Sequence, residues 1–198
     1  MTEYLDVLRI LKKILCAVAF LMISVAQAKN AEFSLDDLEK YFQSLIEINS
    51  EFEQIDKNVI SNGTFYLNKH KKYMQMIYKE PASLEITLKN KKLIYYDREL
   101  KEKTETSAHS SPLSFLLKNK INLKNELKIL KITTALNGQL YVKLCKKNDE
   151  DKGAMTLIFN KNPLSLVGWI IFEDRDEESY RGSIEIWLIN PQIRRKNG

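Results

Sequence analysis

The chain has 198 residues, of which 44% are hydrophobic and 29% charged, with a formal net charge of +5. That balance suits a folded domain and excludes a disordered or low-complexity chain. Two cysteines exclude a disulfide framework, and scattered lysines without an aromatic-plus-basic module or a helix-turn-helix pattern exclude nucleic acid as a partner.

The first elements are a leader and a helix. Arg9, Lys12 and Lys13 precede an uncharged apolar run, Ile14 to Val25. The run is shorter than the ~20 residues of a membrane span. Ala26-Gln27-Ala28 supplies a small-x-small cleavage site, so residues 1–28 are expected to be a signal peptide and residues 29–198 one domain. Cys16 lies ahead of most of the apolar run and is not placed for lipid attachment; Cys145 alone would remain after cleavage. From Ser34, an expected N-cap paired with Asp37, the spacing of Leu35, Leu38, Phe42 and Leu45 predicts a helix with one apolar face. Periodicity leaves open whether that face covers a core or a cavity.

After Leu45 the period changes to two. Ile46, Ile48, Phe52 and Gln54 alternate with Glu47, Asn49, Glu51 and Glu53. Phe65 and Leu67 follow the Asn62-Gly63 turn signal. Met74, Met76 and Tyr78 share one face of the next strand, opposite Tyr73, Gln75 and Lys79. Leu84, Ile86 and Leu88 repeat the pattern. Asn90 suits a tight hairpin before Leu93–Asp97, because Asn tolerates positive φ. Ser110-Ser111-Pro112 then starts a short helix with Leu113, Leu116 and Leu117 on its apolar face. Two turns of helix do not persist alone, so packing must hold them. Asn137-Gly138 marks a hairpin leading into Leu140, Val142 and Leu144. Further strands run through Met155–Phe159, Leu164–Phe172 and Ile184–Leu188, giving about ten in serial antiparallel order.

An antiparallel sheet of this width has one apolar face to bury. Two helices are too few to fill its concavity, so the sheet either packs on itself as a sandwich or leaves a pocket. Met74, Met76 and Met155 fall at inward positions, where flexible thioethers serve gap filling and adaptable binding alike. Catalytic patterns are missing. His70 lies in a basic turn and His109 in a polar loop, and the chain contains no GxSxG, HExxH, CxxC or glycine-rich phosphate loop. No metal or cofactor is expected.

Three segments carry a resemblance: Gly63–Leu67 (GTFYL), Leu93–Asp97 (LIYYD, with Glu99-Leu100 after it) and Pro112–Leu117 (PLSFLL). With Phe52-x-Gln54 and the stretch from Tyr78 to Pro81, they resemble the periplasmic outer-membrane lipoprotein carriers of the LolA type. The resemblance implies an open antiparallel β-barrel of about eleven strands with both helices as a lid. It implies an acyl-binding face made of Phe52, Phe65, Leu67, Met74, Met76, Tyr78, Leu84, Ile86 and Leu88, and lid residues Leu38, Phe42, Leu113, Leu116 and Leu117.

The function so implied is carriage of lipoproteins through the periplasm by a monomer. The cargo would be received from an inner-membrane ABC-type release complex and passed toward an outer-membrane acceptor. A lipid-sensing or regulatory periplasmic domain of the same fold is the alternative, with the acceptor itself a further one. The chain departs from the family at Lys69-His70, where an Arg-Pro pair is usual. In the family that arginine ties down the lid, and Lys69 would be its counterpart without the planar fork. Asn90 stands where the family commonly has glycine.

Overall fold

The computed structural model describes residues 33–108, 112–118, 122–147, 154–172 and 183–196. The expected leader, residues 1–28, lies outside the described residues, as does His109.

Helix α1 spans Leu35–Ser44 and runs directly into β1, Leu45–Asp56. Leu38, Tyr41, Phe42 and Leu45 are all buried at the i, i+3, i+4, i+7 spacing of one helical face. Five strands follow β1: β2 (Val59–Asn68), β3 (Tyr73–Tyr78), β4 (Leu84–Lys89), β5 (Lys92–Asp97) and β6 (Glu102–Ser107). A 3₁₀ helix, Pro112–Leu117, and one turn of α2, Leu123–Glu126, make the crossing to the second half. That half comprises β7 (Leu127–Thr134), β8 (Leu140–Lys146), β9 (Met155–Lys161), β10 (Leu164–Phe172) and β11 (Ser183–Arg195).

The eleven strands form one sheet in the order β6-β5-β4-β3-β2-β1-β11-β10-β9-β8-β7. Two antiparallel meanders are therefore joined along β1 and β11, with Phe52 opposite Leu188 and Gln54 opposite Ile186. The end strands β6 and β7 do not pair with each other, so the barrel is open. This is the expected fold class.

Three local features differ from the sequence expectation. The Pro112–Leu117 segment is a 3₁₀ helix and not an α-helix, in keeping with the short runs that 3₁₀ geometry favours. Strand β6, EKTETS, has no apolar residue and is exposed throughout, so it carries no alternation to find. In β7, LKILKITT, a register shift between Ile129 and Lys131 breaks the period of two.

Turn chemistry sets the register. The two-residue loop between β4 and β5 has positive φ at both Asn90 and Lys91, the backbone of a type I′ turn. The Asp97 carboxylate accepts from the amides of Glu99 and Leu100, both at 2.9 Å, and so shapes the β5–β6 turn. Arg98 at that turn donates to the Tyr78 carbonyl at 2.5 Å and, through its amide, to the Ser83 carbonyl at 2.8 Å. These contacts give a structural reason for the order Tyr78…Pro81…Asp97 in the sequence: they hold adjacent hairpin ends together.

Candidate functional site

Gly63 opens the inner face of the sheet. A Cβ there would lie 2.1 Å from the Ile77 carbonyl oxygen and 2.8 Å from a ring carbon of Phe52, so only glycine fits. Gly63 pairs with Phe52 on one side and Tyr78 on the other. Across this side-chain gap the Phe52 and Tyr78 rings meet edge to face at 5.0 Å. The Tyr78 hydroxyl donates to Gln54 Oε1 at 2.6 Å, which places both members of Phe52-x-Gln54 in one cluster. Burial pushes the Tyr78 phenol up to about 12.

Paired residues of adjacent antiparallel strands share a face. One inner row runs Phe65, Met76, Ile86, Tyr95 and Thr104; a second runs Leu67, Met74, Leu88, Leu93 and Thr106. Along the first row exposure climbs from 0% at Phe65 and 5% at Met76, through half-buried Ile86, to 37% at Tyr95. Leu84 is also half-buried, whereas Leu67, Met74 and Leu88 are buried. The inner face is thus covered at its centre and open toward the β6 edge.

The cover is α1 and the 3₁₀ helix. Leu38, Phe42, Leu113, Leu116 and Leu117 are all buried. Phe42 meets Phe115 of the 3₁₀ helix edge to face at 5.6 Å and Phe159 of β9 at 6.0 Å. The two helices therefore share one apolar contact over the sheet. With Leu38, Phe42 and Leu116 each at 0% exposure, the helices' own side chains fill the concavity beneath them.

Three polar contacts tie α1 to the sheet. The Tyr41 hydroxyl accepts from the Leu166 amide at 2.9 Å, beside the register shift between Leu166 and Gly168. Burial raises the Tyr41 phenol to about 12. The Lys196 amide donates to the Ser44 carbonyl at 2.8 Å. The Lys69 ammonium donates to the Phe42 carbonyl at 2.5 Å. Lys69 is 4% exposed, and burial, then repulsion from Lys196, lowers its pKa from 10.5 to about 8. Lys69, at the position the resemblance compares with the family's arginine, is thus bonded to helix backbone.

The expected acyl face stopped at the first meander, although Met155 of the second was expected to point inward. The structure brings in the second: Leu140, Val142, Leu157, Phe159, Leu166 and Trp169 are buried across β8–β10. Met155 is buried with them, and Trp169 packs against Phe65 at 5.3 Å. The indole N–H of Trp169 is buried and has no hydrogen-bond partner among the described residues. An apolar run without alternation, Leu164–Phe172, hid this tryptophan's direction; Tyr41 was hidden because hydroxyl-bearing rings serve either face of a helix. Cys145 is buried. His70 is exposed. Among the described residues no group of three or more His, Cys, Asp or Glu could hold a metal ion.

The family model described as "Outer membrane lipoprotein carrier protein LolA" matches residues 44–185. The chain belongs to this family. It is therefore a member of a lipoprotein-binding carrier family, with the open sheet and helical cover that the three segments implied. No curated protein matches the chain. Among solved structures it is similar to an uncharacterized conserved protein from Thermus thermophilus, at 12% identity and a TM-score of 0.48, covering 83% of this chain and 86% of that one. It is similar also to MucB, at 10% identity and a TM-score of 0.43, covering 80% of this chain and 56% of that one. A third is a DUF1329 family protein from Desulfovibrio piger, at 11% identity and a TM-score of 0.42, covering 79% and 90%. At these scores the likenesses carry no argument about ligand. Among the described residues no helix is long and apolar enough to cross a membrane.

Proposed function

We propose that this chain is a periplasmic carrier for lipoproteins. Residues 1–28 direct export and are removed. The remaining domain takes acyl chains onto the inner face of its sheet. It receives them from an inner-membrane ABC-type release complex and delivers them toward the outer membrane. No reaction is performed.

The supporting observation is the graded row Phe65, Met76, Ile86, Tyr95 under a helical cover. An apolar face that is packed at one end and open at the other offers a way in. Burying each CH₂ is worth ~0.8 kcal/mol, so a long acyl chain offers about ten kcal/mol in gross terms. The cover already occupies the concavity with Leu38, Phe42 and Leu116. An acyl chain must displace these side chains, and the net affinity is the difference between two apolar burials. That difference keeps loading reversible, as a carrier requires. Met74, Met76 and Met155 line this surface with unbranched, adaptable side chains. Lys69 holds the end of the cover, and Phe52, Leu67, Tyr78, Leu84 and Leu88 complete the acyl face; Leu113 and Leu117 move with the cover.

The test is a pair of substitutions in β3. Met76→Glu sets a carboxylate on the inner face, where an unpaired charge is costly. Gln75→Glu sets the same charge one residue away, on the opposite face. Lipoprotein recovered with each folded variant from the periplasm, identified by mass spectrometry, should fall about tenfold or more for Met76→Glu and stay at the parent level for Gln75→Glu. Equal loading by both variants removes the inner face from the site. Recovery of a lipid or a soluble protein in place of a lipoprotein overturns the cargo.

A further inference from the structure

The two rims of the open barrel differ in charge. In an antiparallel meander successive turns alternate between rims, so the topology sorts every turn. The rim where α1 joins β1 carries the turns β2–β3, β4–β5, β7–β8 and β9–β10 and the end of β11. The β2–β3 turn reads Asn68-Lys69-His70-Lys71-Lys72-Tyr73 and the β4–β5 turn Lys89-Asn90-Lys91-Lys92. Lys161 starts the β9–β10 turn, and β11 ends in Arg194-Arg195 before Lys196. None of these segments contains an Asp or Glu.

Across the sheet the described turns are mixed. Asp56-Lys57 joins β1 to β2, Lys79-Glu80 lies between β3 and β4, and Asp97-Arg98-Glu99-Leu100-Lys101-Glu102 joins β5 to β6. Lys79 pairs with Glu51 at 2.8 Å, and Arg98 lies 3.9 Å from Glu85. On the first rim Lys92 pairs with Glu105, and Arg194 with Glu47. Lys71, Lys72 and Lys91 are exposed and have no ion-pair partner among the described residues.

The basic turns lie along one continuous border of the sheet. Lys92 pairs with Lys89, Lys89 with Tyr73, Tyr73 with Asn68, Asn68 with Glu47 and Glu47 with Arg194 in successive ladders. Five strand spacings at ~4.8 Å spread this border over roughly 25 Å. On the same rim the β7–β8 hairpin holds Leu136 fully exposed at its tip. That tip is built and not loose: the Gly138 amide donates to the Ala135 carbonyl at 2.9 Å, and the Gln139 amide to Asn137 Oδ1 at 3.0 Å.

We infer that this rim docks on an anionic lipid surface, with the exposed lysines of the β2–β3 and β4–β5 turns on the headgroups and Leu136 inserted farther along the same rim. A rim that holds exposed, unpaired Lys71, Lys72 and Lys91 on two neighbouring turns matches an extended field of anionic headgroups better than the local acidic patch of a protein. An apolar tip on the same rim as such a border is the pairing that interfacial binding uses. The rim also carries the end of α1 and the Lys69–Phe42 bond. Docking therefore sets the fixed end of the helical cover against the bilayer. Docking of this kind does not depend on which cargo the inner face takes.

The experiment is vesicle co-sedimentation with the full chain and three variants in that same background, one triple, one double and one that adds Leu136→Ser to the triple, so that residues 1–28 contribute equally to each. The rim variant is Lys71→Gln, Lys72→Gln, Lys91→Gln; the control, on the opposite rim, is Lys57→Gln, Lys101→Gln. All five lysines are exposed, and circular dichroism checks that each variant folds. On phosphatidylcholine vesicles containing about a third phosphatidylglycerol, the rim variant should bind about fivefold or more weakly than the parent, and the control like the parent. The parent's excess binding to anionic over neutral vesicles should vanish at about 0.5 M salt. Leu136→Ser should weaken binding further in the rim variant. Equal losses in rim and control variants, or an excess that salt does not touch, overturn the proposal. So does an acidic protein that the rim lysines bind while anionic vesicles show no excess over neutral ones.

Discussion

On β8–β10 the inward side chains Leu140, Val142, Leu157, Phe159, Leu166 and Trp169 are buried almost completely, whereas on β4 and β5 Leu84 and Ile86 are half-buried and Tyr95 is exposed. Both regions come from strands with the same apolar inward positions. The difference lies in what covers them. Tyr41 and Phe42 of α1 pack on Phe159 at 5.5 and 6.0 Å, and Tyr41 is bonded to the Leu166 backbone. On β4 and β5 only Leu88 and Leu93 are buried. One meander therefore acts as the seat of the cover and the other as a wall that stays accessible. Alternation in a strand specifies which side chains face inward; the helices decide which of them stay dry.

The sharpest way to break this comparison is to hollow the seat. Trp169→Ala should cost about 3–5 kcal/mol, read as a drop in the midpoint of denaturant unfolding. A loss comparable to that of Ile86→Ala would mean that both meanders are equally covered. Next comes the gap that seats two rings. Gly63→Ala drives a methyl into the Ile77 carbonyl and the Phe52 ring, and should cost about 1–3 kcal/mol by the same measurement. Loss of the Phe52–Tyr78 packing would accompany it, visible in the near-ultraviolet circular dichroism.

Lys69 sharpens the account of the tie between α1 and the sheet. Its folded pKa, about 8, lies below the ordinary 10.5. Below pH 8 both folded and unfolded states hold the proton, and the cost of the buried charge is present in full. Between about 8 and 10.5 the folded state has released the proton while the unfolded state still binds it, so this group's contribution to stability rises with pH. Lys69→Met should remove that rise; a slope unchanged in the variant would assign it to another group. The variant should also lose the bond to Phe42, so a hydrogen-exchange measurement should find the last turn of α1 opening more readily. The smallest effect is expected at the accessible wall. Ile86→Ala should cost about 1 kcal/mol or less, because a half-exposed side chain has less transfer energy to lose.

Most strands and their inward positions were legible because one face of an antiparallel sheet repeats every second residue, whereas the serial order expected of them missed the β1–β11 seam. Met74, Met76 and Tyr78 needed no partner to be assigned a side. The helix at Leu35–Ser44 was legible from four apolar positions. What escaped notice did so for identifiable reasons. Strand β6 is an edge with nothing to bury, and its Lys103, together with Lys92, holds Glu105 well down, at about 2, as an exposed ion-pair cluster. Strand β7 is phase-shifted by its bulge. Trp169 lies in a run where inward and outward residues are equally apolar. The charge difference between rims was invisible as well, since it appears only when the topology sends alternate turns to opposite ends.

The pairing of β1 with β11 has a consequence for how the chain reaches this fold. These two strands make the seam between the meanders, yet Phe52 and its partner Leu188 stand at opposite ends of the sequence. Each meander can zip locally, hairpin by hairpin, but the seam closes a loop that spans nearly the whole domain, and its entropy must be lost before the contact returns anything. The last-made strand is thus the one that completes the centre of the sheet. A chain delivered from its N-terminus stays short of its finished core until β11 arrives.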